Sequence, residues 1–133
     1  MNKFQLLERL IEFAVKCIKL TEKLKPCKAS SILEGQLIRS GTSPANNYSE
    51  AMDAESNNDF IHKFKICLKE LRESNTTLQI IKKAELCSDK ILLEELIKES
   101  SELTAIFVSS LKTLRTQNIP ATINSTSNQN GKS

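Results

Sequence analysis

Apolar residues recur through positions 4–114 at spacings of three and four, the period of helices with one buried face. In the first segment Phe4, Leu7, Ile11, Ala14, Val15 and Ile18 form one stripe, and Leu6, Leu10, Phe13, Cys17, Leu20 and Leu24 form a second beside it. Together the stripes cover roughly 200° of a helix, well beyond the ~100° that faces a single core. Two surfaces must therefore bury this helix, the bundle interior and a neighbouring subunit. Leu6, Leu10, Phe13, Cys17 and Leu20 are assigned to the subunit interface, which predicts a homo-oligomer.

Lys25-Pro26-Cys27 ends the first helix, because the residue before proline is pushed out of the helical region and Pro26 has no amide donor. Ser30 or Ser31 then caps a second helix, in which Ile32, Leu33, Leu37 and Ile38 give way to Ser40, Gly41, Thr42 and Ser43 before Tyr48. That run of small residues allows another backbone to approach closely. Pro44 is expected to bend or interrupt the helix near Gly41, since it removes a backbone hydrogen bond. A third helix follows the cap signal Ser56–Asp59 and carries Phe60, Phe64, Cys67, Leu71, Leu78 and Ile81 on one face. A fourth, capped by Ser88 or Asp89, carries Leu93, Leu96, Leu103, Phe107 and Leu111 and ends near Arg115. Four helices of about 25 residues with short connectors predict an all-α, antiparallel up-down-up-down four-helix bundle over residues 1–115. Residues 116–133, rich in Asn, Ser, Thr and Gln, are predicted to be a disordered tail.

Composition narrows the function classes. With three glycines, placed at 35, 41 and 131, the chain has neither a phosphate-binding loop nor a dinucleotide fingerprint. Cys17, Cys27, Cys67 and Cys87 form no C-x-x-C pair, and His62 is the one histidine, so no metal site, cofactor or disulfide framework is expected. A di-iron site in a helical bundle needs two Glu-x-x-His pairs, which one histidine cannot supply. Charges interrupt the N-terminal segment, leaving neither a signal-peptide core nor a membrane span, and a cytoplasmic protein is expected.

The net charge of +3 is spread unevenly: residues 1–28 hold seven Lys/Arg against three Glu, and residues 29–56 one Arg against four acids. Lys16, Lys19 and Lys23 on the first helix, with Lys63, Lys65, Lys69 and Arg72 on the third, are candidate nucleic-acid-binding residues that would neutralise phosphates. With no Trp and a lone Tyr, such contact would rest on phosphates rather than base stacking. Arg39, Asn46, Glu50 and His62 form a candidate polar network between the second and third helices, with Arg39 paired to Glu50 or to an acidic partner. No nucleophile is set beside a base, so no catalytic residue is assigned and an enzyme is not expected.

Two stretches, QLIRSGTSPANNYSEA at Gln36–Ala51 and DFIHKFKICLKELRESNTTL at Asp59–Leu78, resemble the four-helix bundle proteins named after the 23S ribosomal RNA intervening sequence. The resemblance covers residues 3–115 and implies a small bundle assembling into a ring-like oligomer, a pentamer. A relative similar in fold is the accessory protein of diversity-generating retroelements, a basic pentameric barrel that associates with a reverse transcriptase and with nucleic acid. The expected function is a non-enzymatic homo-oligomeric scaffold or adaptor. Its expected partners are copies of itself and either structured RNA or DNA or a protein such as a reverse transcriptase. The alternative is a protein–protein interaction module that binds no nucleic acid.

Overall fold

The computed structural model describes the backbone of residues 1–124 and the side chains of residues 1–116. Four helices follow one another: α1 (Lys3–Thr21), α2 (Lys28–Met52), α3 (Asn57–Lys83) and α4 (Lys90–Asn124). No strand element occurs among the described residues. Each helix adjoins the next and α1 also meets α4, while the backbones of the diagonal pairs stay apart, so the four make a closed square. The antiparallel sense is visible in the ion pairs, where advancing along one helix means retreating along its neighbour: Arg39 reaches Glu70 while Glu50 reaches Lys63.

Local chemistry sets the boundaries. Asn2 caps α1 through a reciprocal box, in which the Gln5 amide donates to Asn2 Oδ1 at 2.9 Å and the Asn2 amide donates to Gln5 Oε1 at 2.8 Å. Ser56 Oγ accepts from the Asp59 amide at 3.1 Å, and Asp89 Oδ1 accepts from the Leu92 amide at 3.0 Å, as the sequence predicts for α3 and α4. α2 starts earlier than expected, with Cys27 rather than a serine at the cap position and no side-chain cap bond. α1 ends earlier, at Thr21, so Leu24 leaves the helical stripe and pairs with Cys87 in an isolated antiparallel bridge. The Lys25 amide donates to Leu86 O at 2.7 Å and the Ser88 amide to Lys23 O at 2.9 Å, which clips the α1–α2 and α3–α4 turns together.

Glu85 closes α3 in the left-handed region at φ 57°. The Leu86 amide donates back to Ile81 O at 3.1 Å and the Glu85 amide to Lys82 O at 3.0 Å, the two bonds of a Schellman motif that usually carries glycine. α2 runs unbroken through Pro44, so the expected interruption is absent. The proline is buried, and its carbonyl accepts from Cys67 Sγ at 3.4 Å, so packing against α3 offsets the missing helical bond. α1 and α2 approach closely at Gly41: a Cβ built there would lie 2.9 Å from Cys17 Sγ and 3.0 Å from Cys17 Cβ.

The core is leucine-rich, with an aromatic knot where α2, α3 and α4 converge. Ring centroids of Tyr48 and Phe64 lie 5.7 Å apart, Phe64 and Phe107 4.9 Å, and Tyr48 and Phe107 6.0 Å in an edge-on arrangement. α4 continues past Arg115 to Asn124. The rest of the expected tail, residues 125–133, and the side chains from 117 onward lie outside the described residues.

Candidate interaction surfaces

Of the two apolar stripes of α1, the one assigned from sequence to a subunit interface is the one the bundle buries. Leu6, Leu10, Phe13, Cys17 and Leu20, assigned from sequence to a subunit interface, are all buried within the single chain. They point into the bundle interior and cannot reach a neighbouring copy while the bundle is folded. The other stripe is the one left open: Phe4 is 64% exposed, Ile11 39%, Val15 37% and Ile18 42%, with Leu7 half-buried at its edge. Spacings of 7, 4 and 3 put these four on one face, about 21 Å long at 1.5 Å per residue. Ile38 and Ala45, both half-buried, share the α2 face that carries Gly41 against Cys17, so they flank this strip.

The α2–α3 seam does not assemble the four-residue network read from sequence. Arg39 donates to Glu70 Oε1 at 3.0 Å and also to Glu73, while Glu50 accepts from Lys63 Nζ at 2.7 Å. Arg39 and Glu50 stand eleven residues apart on one helix, about 16 Å along its axis, too far for a direct pair. Asn46 and His62 are exposed and make no side-chain hydrogen bond among the described residues. The Glu70 carboxylate is buried, and its hydrogen bond raises the Arg39 guanidinium above the ordinary range. Beneath it lies a polar layer that the sequence reading missed: Ser74 Oγ donates to Ser40 Oγ at 3.0 Å, and Asn75 donates to Ser100 at 2.8 Å and Ser101 at 3.2 Å. Its signal is a set of small polar residues, Ser74 and Thr77, continuing the core spacing of Cys67 and Leu71 along α3.

The seven candidate cations separate into two groups. Lys16 pairs with Glu95 across the α1–α4 seam and Lys63 with Glu50 across the α2–α3 seam; the hydrogen bond that each ammonium donates to its partner carboxylate raises its pKa. Lys19, Lys23, Lys65, Lys69 and Arg72 are exposed and have no ion-pair partner among the described residues. The α1–α4 seam is the loosest of the four and is spanned by Arg9, whose guanidinium grips Glu99 at 2.7 Å and 2.9 Å and Glu102 at 2.8 Å. A cleft of about 280 Å³ lies beside it, floored by Phe13 and Leu96 and rimmed with carboxylates.

The thiols differ in their surroundings. Burial pushes the Cys17 and Cys67 thiols up to about 12, whereas exposed Cys27, hydrogen-bonded to Ser30 at the start of α2, is shifted down. No group of three or more His, Cys, Asp or Glu side chains that could hold a metal occurs among the described residues. No helix among them is long and apolar enough to cross a membrane.

A family model for the 23S rRNA-intervening sequence protein matches residues 2–109. Among solved structures, a protein with unknown function from the S23 ribosomal protein family of Bacteroides thetaiotaomicron VPI-5482 is similar, at 30% identity and a TM-score of 0.75. That match covers 84% of this chain and 99% of the other. No curated protein sequence matches. With more than half of its length under the family model and the same fold in a relative matched almost end to end, the chain belongs to the 23S rRNA-intervening sequence protein family.

Proposed function

We propose that the chain is a non-enzymatic, self-assembling helical scaffold whose copies join through the outer face of α1 and whose charged faces meet a partner. One observation carries this reading: Phe4, Ile11, Val15 and Ile18 stay exposed on one stripe of a helix whose opposite stripe is fully buried. A contiguous apolar strip on a small bundle marks an association surface rather than scattered exposure. The strip alone falls short of the roughly 800 Å² per partner of a stable interface, so the flanking α2 positions Ile38 and Ala45 take part. A closed ring needs each copy to offer two different edges of this face to its two neighbours, and the ring of five implied by the family resemblance is the proposed assembly.

The non-enzymatic part of the reading is supported by how the charged side chains are used. Arg9, Lys16, Arg39 and Lys63 all tie helix to helix, with Glu99, Glu95, Glu70 and Glu50 respectively. Light scattering on the wild type and on Ile11→Glu/Ile18→Glu tests the scaffold. The wild type should weigh a multiple of the 14.9 kDa chain, and the variant should be a helical monomer by circular dichroism. A monomeric wild type, or a variant that keeps the wild-type mass, overturns the proposal.

A further inference from the structure

The end of the bundle where α1 begins and α2 turns into α3 holds a cavity of about 410 Å³, within the roughly 300–1,000 Å³ of small-molecule sites. Ala51 and Met52 from the last turn of α2, Ala54 from the connector and Phe60 from the first turn of α3 give it apolar walls. Tyr48, one turn further in on α2, also lines it. Tyr48 is 4% exposed, its ring packs on Phe64 and Phe107, and its hydroxyl has no hydrogen-bond partner among the described residues. Buried hydroxyls are nearly always paired, and the cavity is the side from which an acceptor can reach this one. Burial raises the Tyr48 pKa, so at neutral pH the group keeps its proton and donates.

The mouth of the cavity carries positive potential. Lys3 stands over the Phe4 ring, 5.5 Å from its centroid, and has no ion-pair partner among the described residues. Asn57 opens α3 at the cavity edge, and among the described residues neither its amide nor that of Asn58 has a partner, since Ser56 caps the Asp59 amide instead. Asp59 lies outside the lining, where its charge acts on the Lys63 ammonium. Glu55 is the one acid among the lining residues. We infer that the cavity binds a small monocarboxylate whose apolar body ends in a carbonyl or hydroxyl oxygen. The carboxylate meets Lys3 and the first amides of α3, the body lies on Met52 and Phe60, and the far oxygen accepts from Tyr48. Glu55 disfavours a second negative charge, which sets aside phosphates and dicarboxylates. Length follows from register: Tyr48 packs on Phe64, and Asn57 stands seven residues out along α3, about 10 Å at 1.5 Å per residue. A body of about six carbons with a hydrogen bond at each end covers that span.

The test exploits composition: Tyr48 is the one tyrosine and the chain has no tryptophan, so its emission reports on this cavity alone. The full chain is titrated with 5-oxohexanoate, with hexanoate, which lacks the far oxygen, and with 2-hexanone, which lacks the carboxylate. Calorimetry repeats the titrations on the wild type, Tyr48→Phe and Lys3→Gln, with helicity checked in each. The expected result is a saturable change in Tyr48 emission at one 5-oxohexanoate per chain, with hexanoate about tenfold weaker because it leaves the buried hydroxyl unpaired. Tyr48→Phe should erase the preference between the two acids, a ratio that a general loosening of the fold leaves unchanged. Lys3→Gln should weaken both acids about threefold, as loss of an exposed charge does. No saturable binding of 5-oxohexanoate, equal affinity for 2-hexanone, or a preference that survives in Tyr48→Phe overturns the inference. All lining residues belong to one copy, so the result is separate from assembly: binding by a chain that stays monomeric supports this site and defeats only the scaffold.

Discussion

Alanine at Gly35 and alanine at Gly41 should change stability in opposite directions, although both are the same substitution within α2. In an exposed helix interior, Gly→Ala gains about 1 kcal/mol because the alanine backbone has less freedom to lose. Gly35 is exposed and a Cβ there meets nothing within 4 Å, so Gly35→Ala should realise that gain. At Gly41 the new methyl would lie 2.9 Å from Cys17 Sγ and 3.0 Å from Cys17 Cβ, closer than packed carbon and sulfur tolerate. Cys17 is fully buried in a close-packed interior, so relieving the clash strains its side chain or pushes α1 from α2. Overpacking of this kind costs about 1–3 kcal/mol, which leaves Gly41→Ala destabilised by about 1 kcal/mol net and about 2 kcal/mol below Gly35→Ala. Urea unfolding of both variants at one protein concentration reads the difference, and holding concentration fixed removes any contribution from assembly. Combining Gly41→Ala with Cys17→Ala should lose less than the two single changes added together, because the alanine removes the sulfur from the contact. Equal stabilisation by Gly35→Ala and Gly41→Ala would refute the close approach of α1 and α2.

Two further outcomes follow from strain and from burial. Glu85 holds φ 57° at the end of α3 without glycine's freedom, so Glu85→Gly should raise stability by about 0.5–1 kcal/mol, and a loss in urea unfolding would contradict the Schellman closure. Cys17 and Cys67 keep their protons to about 12 when folded but ionise near 9.0 when unfolded. Since the unfolded chain then binds fewer protons, their contribution is complete below pH 9.0 and declines as pH rises toward 12, by at most about 1.4 kcal/mol per pH unit per thiol. Unfolding curves taken from pH 8 upward should show this decline, and Cys67→Ala should flatten it; a slope unaffected by that change would contradict burial as its cause.

The helices were legible because i, i+3, i+4 spacing records burial directly, and Ser56 and Asp89 mark helix starts through side-chain chemistry that acts within three residues. The inward turn of the Leu10–Phe13–Cys17 stripe of α1 was missed for a different reason. Periodicity gives the angle between two apolar stripes but not which one points inward, and both stripes here are rich in large side chains. The flanking charges held the missing information: Arg9 and Lys16 border the Leu10–Phe13–Cys17 stripe and meet Glu99 and Glu95 of α4, a pairing that requires that stripe to face the bundle. Pro44 misled because a proline penalty is a local property, whereas its burial and the Cys67 contact depend on α3. The Arg39 partners were hidden for a similar reason. Glu70 and Glu73 are more than thirty residues away in sequence, and they become its neighbours only once α2 and α3 lie antiparallel.

The most direct test of the account is sedimentation equilibrium of the full chain over a range of concentrations at moderate salt. An exposed apolar strip on α1 that joins copies should give a mass several times 14.9 kDa, held together as salt rises because the contact is apolar rather than ionic. A mass of one chain at every concentration, or an assembly that dissolves in salt, would contradict it.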